Sequence, residues 1–191
     1  MIFSDEKTFS SQRKGSKRVR KFRGEPSPLF TLKSLRKINL NVWGCITANG
    51  VGKIVRVSEN FNGAQYTNVL KTVLSEMKQS QPDCIFMQDN ASIHKVENVM
   101  QLFANLEIST LNWPAKSPDL NPIENVWGLM QIRLDQLYDK QGKEPKNANE
   151  LFITIEKVWN EITQKEIQNL YQSLPKRMQS VVDLNGNRTK Y

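Results

Sequence analysis

The sequence lacks the features that mark membrane proteins and disulfide-stabilised proteins. No apolar run in its 191 residues approaches the ~18–20 residues of a membrane-spanning helix, and no basic-then-apolar signal sequence opens the chain. The two cysteines, Cys45 and Cys84, cannot form a disulfide framework, and with one histidine in the chain they do not make a plausible structural zinc site. We therefore expect no membrane partner and a reducing intracellular environment.

The composition is that of a folded domain. Hydrophobic residues make up 38% of the chain, and the aromatic residues include four Trp and eight Phe, which is enough apolar material for a core. The length favours one domain, because domains commonly run to ~100–200 residues. We expect this domain to span residues 1–180, with a basic insertion or loop at 11–37 and a frayed C-terminal tail at 181–191.

Nearly all of the net charge of +8 lies in one segment. Residues 11–23 contain seven bases and no acid. A local excess of this density attracts polyanions, so nucleic acid is the first partner to consider. A solvated loop or a localisation signal would explain the same charge. The candidate DNA-binding residues are Arg13, Lys14, Lys17, Arg18, Arg20, Lys21 and Arg23.

The hydrophobic pattern predicts strands in the first half of the chain and helices in the second half. Apolar and β-branched runs predict strands at 1–9, 39–47, 51–58, 84–87 and 106–111. Apolar residues spaced by three or four predict helices beginning at 62 or 63, near 96, near 121 and near 151, and a shorter one over 167–174. A βαβ stretch in the middle indicates an α/β domain with a mixed sheet.

Three acidic residues occupy positions that solubility explains poorly. Asp5 lies within the first predicted strand, Asp89 directly follows the apolar run CIFM, and Glu124 lies in the first turn of the long helix. Carboxylates without a His or Cys cluster are hard oxygen ligands, which suit Mg²⁺ or Mn²⁺. Two such ions about 3.5–4 Å apart can support phosphoryl transfer.

Each of these acids also has an ordinary structural explanation. Asp5 could be a surface acid near a chain end, and Asp89 could cap a turn or a helix. Glu124 has the strongest alternative, because Asn121-Pro122-Ile123-Glu124 has the form of a capping box, with Asn121 at the N-cap and Glu124 at the third helical position. Considered singly, none of the three residues is decisive.

The sequence segments around the three acids resemble those of a known family. The segments QDNASIH at 88–94 and LNWPAKSPDLNPIENVWG at 111–128 closely resemble the catalytic core of Tc/mariner-type DDE transposases. In addition, 34 residues separate Asp89 from Glu124, the spacing of the Tc branch, and SDE at 4–6 and VWGC at 42–45 match the first-aspartate motif and the strand after it. The resemblance runs from about residue 2 to about residue 137.

The resemblance implies a ribonuclease H-like fold in which Asp5, Asp89 and Glu124 bind two Mg²⁺ or Mn²⁺ ions. Members of the family hydrolyse DNA at transposon ends, and the freed 3′-hydroxyl then attacks target DNA, typically at TA. The loop SPDLNP would fix Glu124 relative to Asp89. By sequence, Asn90, His94 and Asn121 lie near the site. Three roles remain open for His94: contact with the phosphate, steadying the site, and a hydrogen bond at a helix terminus.

The resemblance also implies partners and a place of action. We expect binding to transposon ends and target DNA, a homodimer or higher oligomer on DNA, and a nuclear location. Because Asp5 lies so near the first residue, we expect this chain to act without the N-terminal helix-turn-helix domains that the family normally carries. Three hypotheses stand: an active transposase domain, a domesticated or relic DNA-binding and assembly module without catalysis, and a ribonuclease H-like nuclease without strand transfer. The Tc-type sequence motifs argue against the third hypothesis.

Overall fold

The computed structural model describes residues 1–12, 37–114, 117–141, 144–187 and 189. Its centre is a five-stranded mixed sheet with the strand order β3-β2-β1-β4-β5. The strands are β1 (Ile2–Ser10), β2 (Asn39–Thr47), β3 (Gly50–Val57), β4 (Ile85–Met87) and β5 (Ser109–Thr110). The pairs β1–β2 and β2–β3 are antiparallel, whereas β1–β4 and β4–β5 are parallel. The predicted mixed α/β sheet is confirmed.

Among the described residues, five α-helices cover the two faces of this sheet. They are α1 (Gly63–Ser80), α2 (Glu97–Asn105), α3 (Pro122–Gln141), α4 (Ala148–Asn160) and α5 (Gln164–Asp183). One core cluster joins α1 and α2 to one face, and a second joins α3, α4 and α5 to the other. Within the described ranges, no helix combines the length and apolar character needed to cross a membrane.

The alternation of side chains along β1 decides which residues face which helices. Successive residues of a strand point to opposite faces of the sheet. Phe3 belongs to the core cluster with α3, and Asp5 and Lys7 reach Trp127 and Glu124 of α3 on that same face. Ile2 belongs to the cluster with α1 and α2. The central strand of the sheet therefore presents Asp5 to α3.

The C-terminal helix is longer than the sequence predicts. The expected shorter helix over 167–174 is part of α5, which begins at a capping box formed by Thr163 and Glu166 and continues to Asp183, beyond the expected start of the tail at 181. Pro175 lies inside the helix without ending it. Leu174 and Arg177, on either side of that proline, are both buried, and tertiary packing of this kind overrides the intrinsic helix-breaking tendency of proline.

Gly44 permits the closest contact between the sheet and the helices that cover it. It lies opposite Asp5 in the β1–β2 register. A Cβ atom at this position would lie 2.7 Å from Cη2 of Trp127 and 3.2 Å from Cη2 of Trp159. The absence of a side chain therefore allows the two stacked indole rings to pack directly over β2.

Replacing Gly44 with Ala should lower the free energy of unfolding by about 1–3 kcal/mol, because the new methyl group overpacks a buried site. The substitution should also reduce the DNA cleavage and joining that the family resemblance implies, because the clash displaces Trp127, whose indole contacts Asp5. Urea unfolding measures the first effect. Gly128→Ala is the matched control: this exposed glycine of α3 has open space at the Cβ position, so the change should raise stability by about 0.5–1 kcal/mol. Equal effects at the two glycines would contradict the packing argument.

Candidate active site

The three predicted carboxylates line a single pocket. The pocket has a volume of about 360 Å³ and opens at the edge of the sheet where β1 and β4 run side by side. Its lining consists of the three acids and the loops that flank them: Asp5, Asp89, Asn90, Trp113, Pro114, Ser117, Pro118, Asn121 and Glu124. Of the predicted near-site residues, Asn90 and Asn121 are therefore in the pocket wall.

Strand register brings Asp5 and Asp89 together. β1 and β4 are parallel, and Phe3 is paired with Met87 at the end of β4. Two residues further along each chain, Asp5 lies within β1, opposite Gly44 of β2, and Asp89 lies just beyond the C-terminal end of β4, so the parallel register places the two acids side by side. The C-terminal ends of parallel strands are where α/β sheets commonly place their ligand sites. The interpretation of Asp89 as a residue at the end of a central strand agrees with this placement.

The start of α3 directs Glu124 into the pocket. The backbone N–H of Asn121 donates to the carbonyl oxygen of Pro118 at 3.1 Å, and this N–H is the group that a Glu124 side chain would accept from in a capping box. The Glu124 carboxylate instead accepts from Lys7 Nζ at 3.3 Å. Asn121 is buried and donates from its side chain to the carbonyl oxygen of Ser4 at 3.3 Å, which ties the loop to β1.

Asp5 carries the most perturbed carboxylate of the pocket. Its Oδ2 accepts a hydrogen bond of 3.0 Å from Nε1 of Trp127. Burial, together with the negative charges of Glu124 and Glu6, raises the pKa of Asp5 from 3.8 to about 7, against the lowering effect of the Trp127 bond. The sequence analysis did not assign Trp127 to the site. A nearby cation would favour the ionised form of this carboxyl, because it offsets the repulsion from the neighbouring negative charges.

His94 joins Asp89 to a fourth acid. The imidazole is buried, with Nδ1 2.7 Å from Oδ1 of Asp89 and Nε2 3.1 Å from Oε1 of Glu6. A neutral imidazole has one N–H, so only the doubly protonated form can donate to both carboxylates. Burial lowers the pKa of His94, but its hydrogen bond and charge interaction with Glu6 and its contacts with Asp89 outweigh burial, and the net shift is upward. The ring packs against Tyr66.

Of the roles considered for His94, this arrangement favours steadying the site. Its ring lies between Asp89 and Glu6 and steadies the position of Asp89. The sequence analysis missed Glu6, although the adjacent acids in SDE were a usable signal: two neighbouring residues of a strand face opposite sides, so one acid can enter the pocket while the other supports it from behind.

Asn90 fixes the loop that closes the pocket. Its Nδ2 donates to the carbonyl oxygen of Trp113 at 2.6 Å, which links the segment after β4 to the segment that leads toward α3.

The seven basic residues predicted to bind DNA (Arg13, Lys14, Lys17, Arg18, Arg20, Lys21 and Arg23) all lie outside the described residues.

The donor set of the pocket fits a hard divalent cation. In the described part of the chain, no three His, Cys, Asp or Glu side chains are already close enough together to hold a metal ion. Glu124 pairs with Lys7, Asp89 with His94, and Asp5 with Trp127. Three carboxylates supply the oxygen ligands that Mg²⁺ and Mn²⁺ prefer, and a cation would relieve the repulsion that raises the pKa of Asp5.

Comparison with known proteins defines the class to which this fold and pocket belong. A family model described as DDE superfamily endonuclease matches residues 1–143. The chain therefore belongs to the DDE superfamily endonucleases. Among curated proteins it is similar to the transposable element Tc1 transposase of Caenorhabditis elegans, with 34% identity over 152 residues, 78% of this chain and 54% of that protein. It is also 34% identical over 195 residues to the Tc3 transposase of the same organism, covering 100% of this chain and 58% of that protein.

The chain thus spans about half the length of these curated relatives. Its fold is that of solved transposase structures. The crystal structure of the catalytic domain of Mos1 mariner transposase matches 99% of this chain and 83% of its own, with a TM-score of 0.72 and 20% identity. A Mos1 mariner paired end complex with Mn matches with a TM-score of 0.83 at 18% identity, over 99% of this chain and 56% of its own. The expected ribonuclease H-like fold class is confirmed.

Proposed function

We propose that this chain is the catalytic domain of a Tc-type DNA transposase, which cleaves DNA at transposon ends and joins the freed 3′-hydroxyl to target DNA at TA sites. The observation that carries the proposal is the meeting of Asp5, Asp89 and Glu124 in one pocket of a DDE-family fold. The Tc1 and Tc3 transposases among its relatives support it.

The reaction consists of two displacements at phosphorus. In the first, water attacks a phosphorus atom, the bond to the 3′ oxygen breaks, and a 3′-hydroxyl and a 5′-phosphate result. In the second, that hydroxyl attacks a phosphorus of the target strand, loses its proton, and displaces another 3′ oxygen, which gains one. The two steps have the same in-line geometry, so one site can serve both.

Asp5, Asp89 and Glu124 would hold two Mg²⁺ or Mn²⁺ ions in this proposal. Bound there, the ions supply Lewis acidity and stabilise charge on the attacking and leaving oxygens. The residues around the acids orient them: the indole N–H of Trp127 fixes Asp5, and the imidazole of His94 fixes Asp89. Lys7 pairs with Glu124 in the metal-free protein, and its ammonium would contact a DNA phosphate once Glu124 has a metal partner.

The proposal extends to partners and location. DNA is the substrate, and the seven bases between Arg13 and Arg23 would contact its backbone without sequence specificity. The chain would act in the nucleus as a homodimer or higher oligomer assembled on DNA. The Mos1 paired-end and strand transfer complexes among the structural neighbours support assembly on DNA for the fold.

A joining assay tests the proposal. The wild-type chain, fused to a DNA-binding domain that delivers it to an oligonucleotide with a free 3′-hydroxyl, is incubated with supercoiled plasmid in Mg²⁺, Mn²⁺ or EDTA. Covalent transfer of the oligonucleotide to the plasmid is expected in either metal and not in EDTA, with insertions at TA. Metal and DNA binding without joining would favour the relic module, and plasmid nicking without joining would favour the nuclease.

A second prediction concerns metal binding without DNA. Mn²⁺ should raise the melting temperature of the wild-type chain, because a ligand that binds only the folded state stabilises that state by about 2.7 kcal/mol at 100 times its dissociation constant. Asp89→Asn should abolish this rise, since it removes a charged ligand from the pocket. The control is Asp183→Asn, which changes an exposed acid at the end of α5 and should leave the Mn²⁺-dependent rise in melting temperature intact. An equal rise in the two variants would place the bound Mn²⁺ elsewhere.

A further inference from the structure

A buried arginine of α5 contacts both sides of the segment that carries Glu124. Arg177 is 3% exposed. Its Nη1 donates to the carbonyl oxygen of Asp119 at 3.0 Å, in the loop before α3, and to Oδ1 of Asn125 at 2.7 Å, in the first turn of α3. Glu124 lies between these two acceptors in sequence. A side chain from the C-terminal helix therefore determines where the start of α3 sits.

The chemistry of the guanidinium group makes this contact specific. Burying a charged group is unfavourable unless hydrogen bonds replace its lost hydration. Arg177 meets that condition with a third bond, from Nε to Oγ of Ser173 at 2.8 Å, one turn back along α5. The planar guanidinium holds its donors in fixed directions, whereas a lysine ammonium is a single point charge on a flexible stem.

A second tether joins the C-terminal segment to the same loop. The backbone N–H and the hydroxyl of Thr189 donate to Oδ2 of Asp119 at 3.2 and 2.8 Å. Burial acts to raise the pKa of Asp119, but these bonds outweigh it and hold that pKa below its usual value. The tail predicted to fray from residue 181 thus contains a residue that is buried against the loop at 117–121.

The helix that supplies Arg177 is itself fixed to the sheet. The hydroxyl of Tyr171 contacts the carbonyl oxygens of Met1 and Ile46 at 3.0 and 3.1 Å, at the ends of β1 and β2. On its other side, the loop is tied to β1 through Asn121 and Ser4. Glu124 is therefore placed between two attachments, one to the strand that carries Asp5 and one to α5.

We propose that Arg177 is a positioning residue of the active site, which acts through Asp119 and Asn125 to hold Glu124 where it can share a metal ion with the other two acids. This role rests on the proposed function. Arg177 lies outside residues 1–143, the part of the chain that the family model matches, and no feature of the sequence pattern assigns it to the site.

The test compares Arg177 with Arg133, a second arginine that connects α3 with the C-terminal helices. Arg133 also joins α3 to the C-terminal helices, with Nη1 donating to the carbonyl oxygen of Glu161 at 3.1 Å and Nη2 to Oε1 of Glu166 at 2.6 Å, but its partners lie outside the pocket lining. Arg177→Met and Arg133→Met are each titrated with Mn²⁺ while the melting temperature is followed, and each is assayed for joining across a range of Mn²⁺ concentrations.

Arg177→Met should raise the Mn²⁺ concentration for half-maximal effect by about 10–100-fold, as the loss of residues that orient metal ligands commonly does. Arg133→Met should lower the melting temperature and leave the Mn²⁺ dependence within about twofold of the wild type. If Arg177→Met does not fold, the half-buried Asn125 carries the same test. Asn125→Ala should shift the Mn²⁺ dependence in the same direction, and Asn125→Asp, which keeps an acceptor for Arg177, should restore it.

The outcomes separate this role from the proposed function. A normal Mn²⁺ titration without joining by the wild type would reject the transposase proposal and still allow the comparison of the arginine variants. Equal Mn²⁺ dependence in wild type, Arg177→Met and Asn125→Ala would overturn the positioning role, even if all variants lost stability. A wild type that binds no Mn²⁺ would overturn it as well, because there would be no metal site to position.

Discussion

Replacing Asp5 with Asn should abolish joining activity and, at the same time, make the metal-free protein more stable at pH 8. The loss of activity, at least about 10³-fold, follows from removing a charged ligand at the centre of the pocket. The gain in stability follows from the raised pKa: ionising Asp5 among Glu124 and Glu6 in a buried position is unfavourable, and Asn avoids that ionisation while keeping an oxygen for Trp127.

The sign of the effect depends on pH. The pKa of Asp5 is raised from 3.8 to about 7, so its favourable contribution is complete below pH 4 and is lost as pH rises toward 7. A tenfold change in proton binding is worth about 1.4 kcal/mol, so the stability advantage of Asp5→Asn should grow from near zero at pH 4 to about 4 kcal/mol at most at pH 8. Urea unfolding in EDTA at several pH values measures this advantage.

A matched aspartate controls for the loss of one negative charge. Asp83 is exposed, in the turn after α1, and Asp83→Asn should change neither activity nor the pH dependence of unfolding. Equal stability of wild type and Asp5→Asn at pH 8 would show that the Asp5 carboxylate is not destabilising in the metal-free pocket. Adding Mn²⁺ should reverse the order of stability, since only the wild type retains all three carboxylate ligands.

Glu124→Gln should reduce joining by at least about 10³-fold with little change in the free energy of unfolding. The change removes the ion pair with Lys7, but both side chains of that pair are about a third exposed, and such pairs are worth about 0–1 kcal/mol. It also removes a negative charge that raises the pKa of Asp5, which offsets part of that loss. The measurements are joining rates and urea unfolding in EDTA.

The control for Glu124 is a second lysine–glutamate pair of the same chemistry. Glu76 of α1 pairs with Lys53 of β3 on the protein surface. Glu76→Gln should leave joining within about twofold of the wild type and change stability by less than about 1 kcal/mol. If Glu124→Gln kept wild-type activity, the third carboxylate of the site would have been assigned wrongly.

Local sequence patterns predicted the elements because elements depend on short-range regularities. The same patterns drew attention to the three acids, and the family resemblance then grouped them into one site. The apolar run before Asp89 and the helical spacing after Glu124 are visible within a few residues. The contacts that orient these acids are not local. His94 and Glu6 are 88 residues apart in sequence, and Trp127 and Asp5 are 122 apart. Such pairs follow from strand order and helix packing, which residue periodicity does not encode.

The case of Glu124 shows where sequence reasoning reached its limit. Its position fits both a capping box and a metal ligand, and the local sequence is the same for either. In the structure the backbone N–H of Asn121 donates to the carbonyl oxygen of Pro118 and the Glu124 carboxylate accepts from Lys7, so the capping-box bond from Asn121 to Glu124 is not formed. The extension of α5 beyond Pro175 has a similar origin, because Arg177 is held by partners more than 50 residues away.

The central position of β1 has a consequence for how a copy of the gene that encodes this chain can lose its function by mutation. β1 is paired on both sides, with β2 and β4, and its alternation sends Asp5 toward α3 and Glu6 toward His94. A one-residue shift in a strand moves every side chain to the opposite face. With the start of β1 held in register, loss of codon 3 or 4 would therefore turn Asp5 away from α3 and put Glu6 in its place, and a gene copy could keep every catalytic codon while encoding a protein that cannot assemble the site.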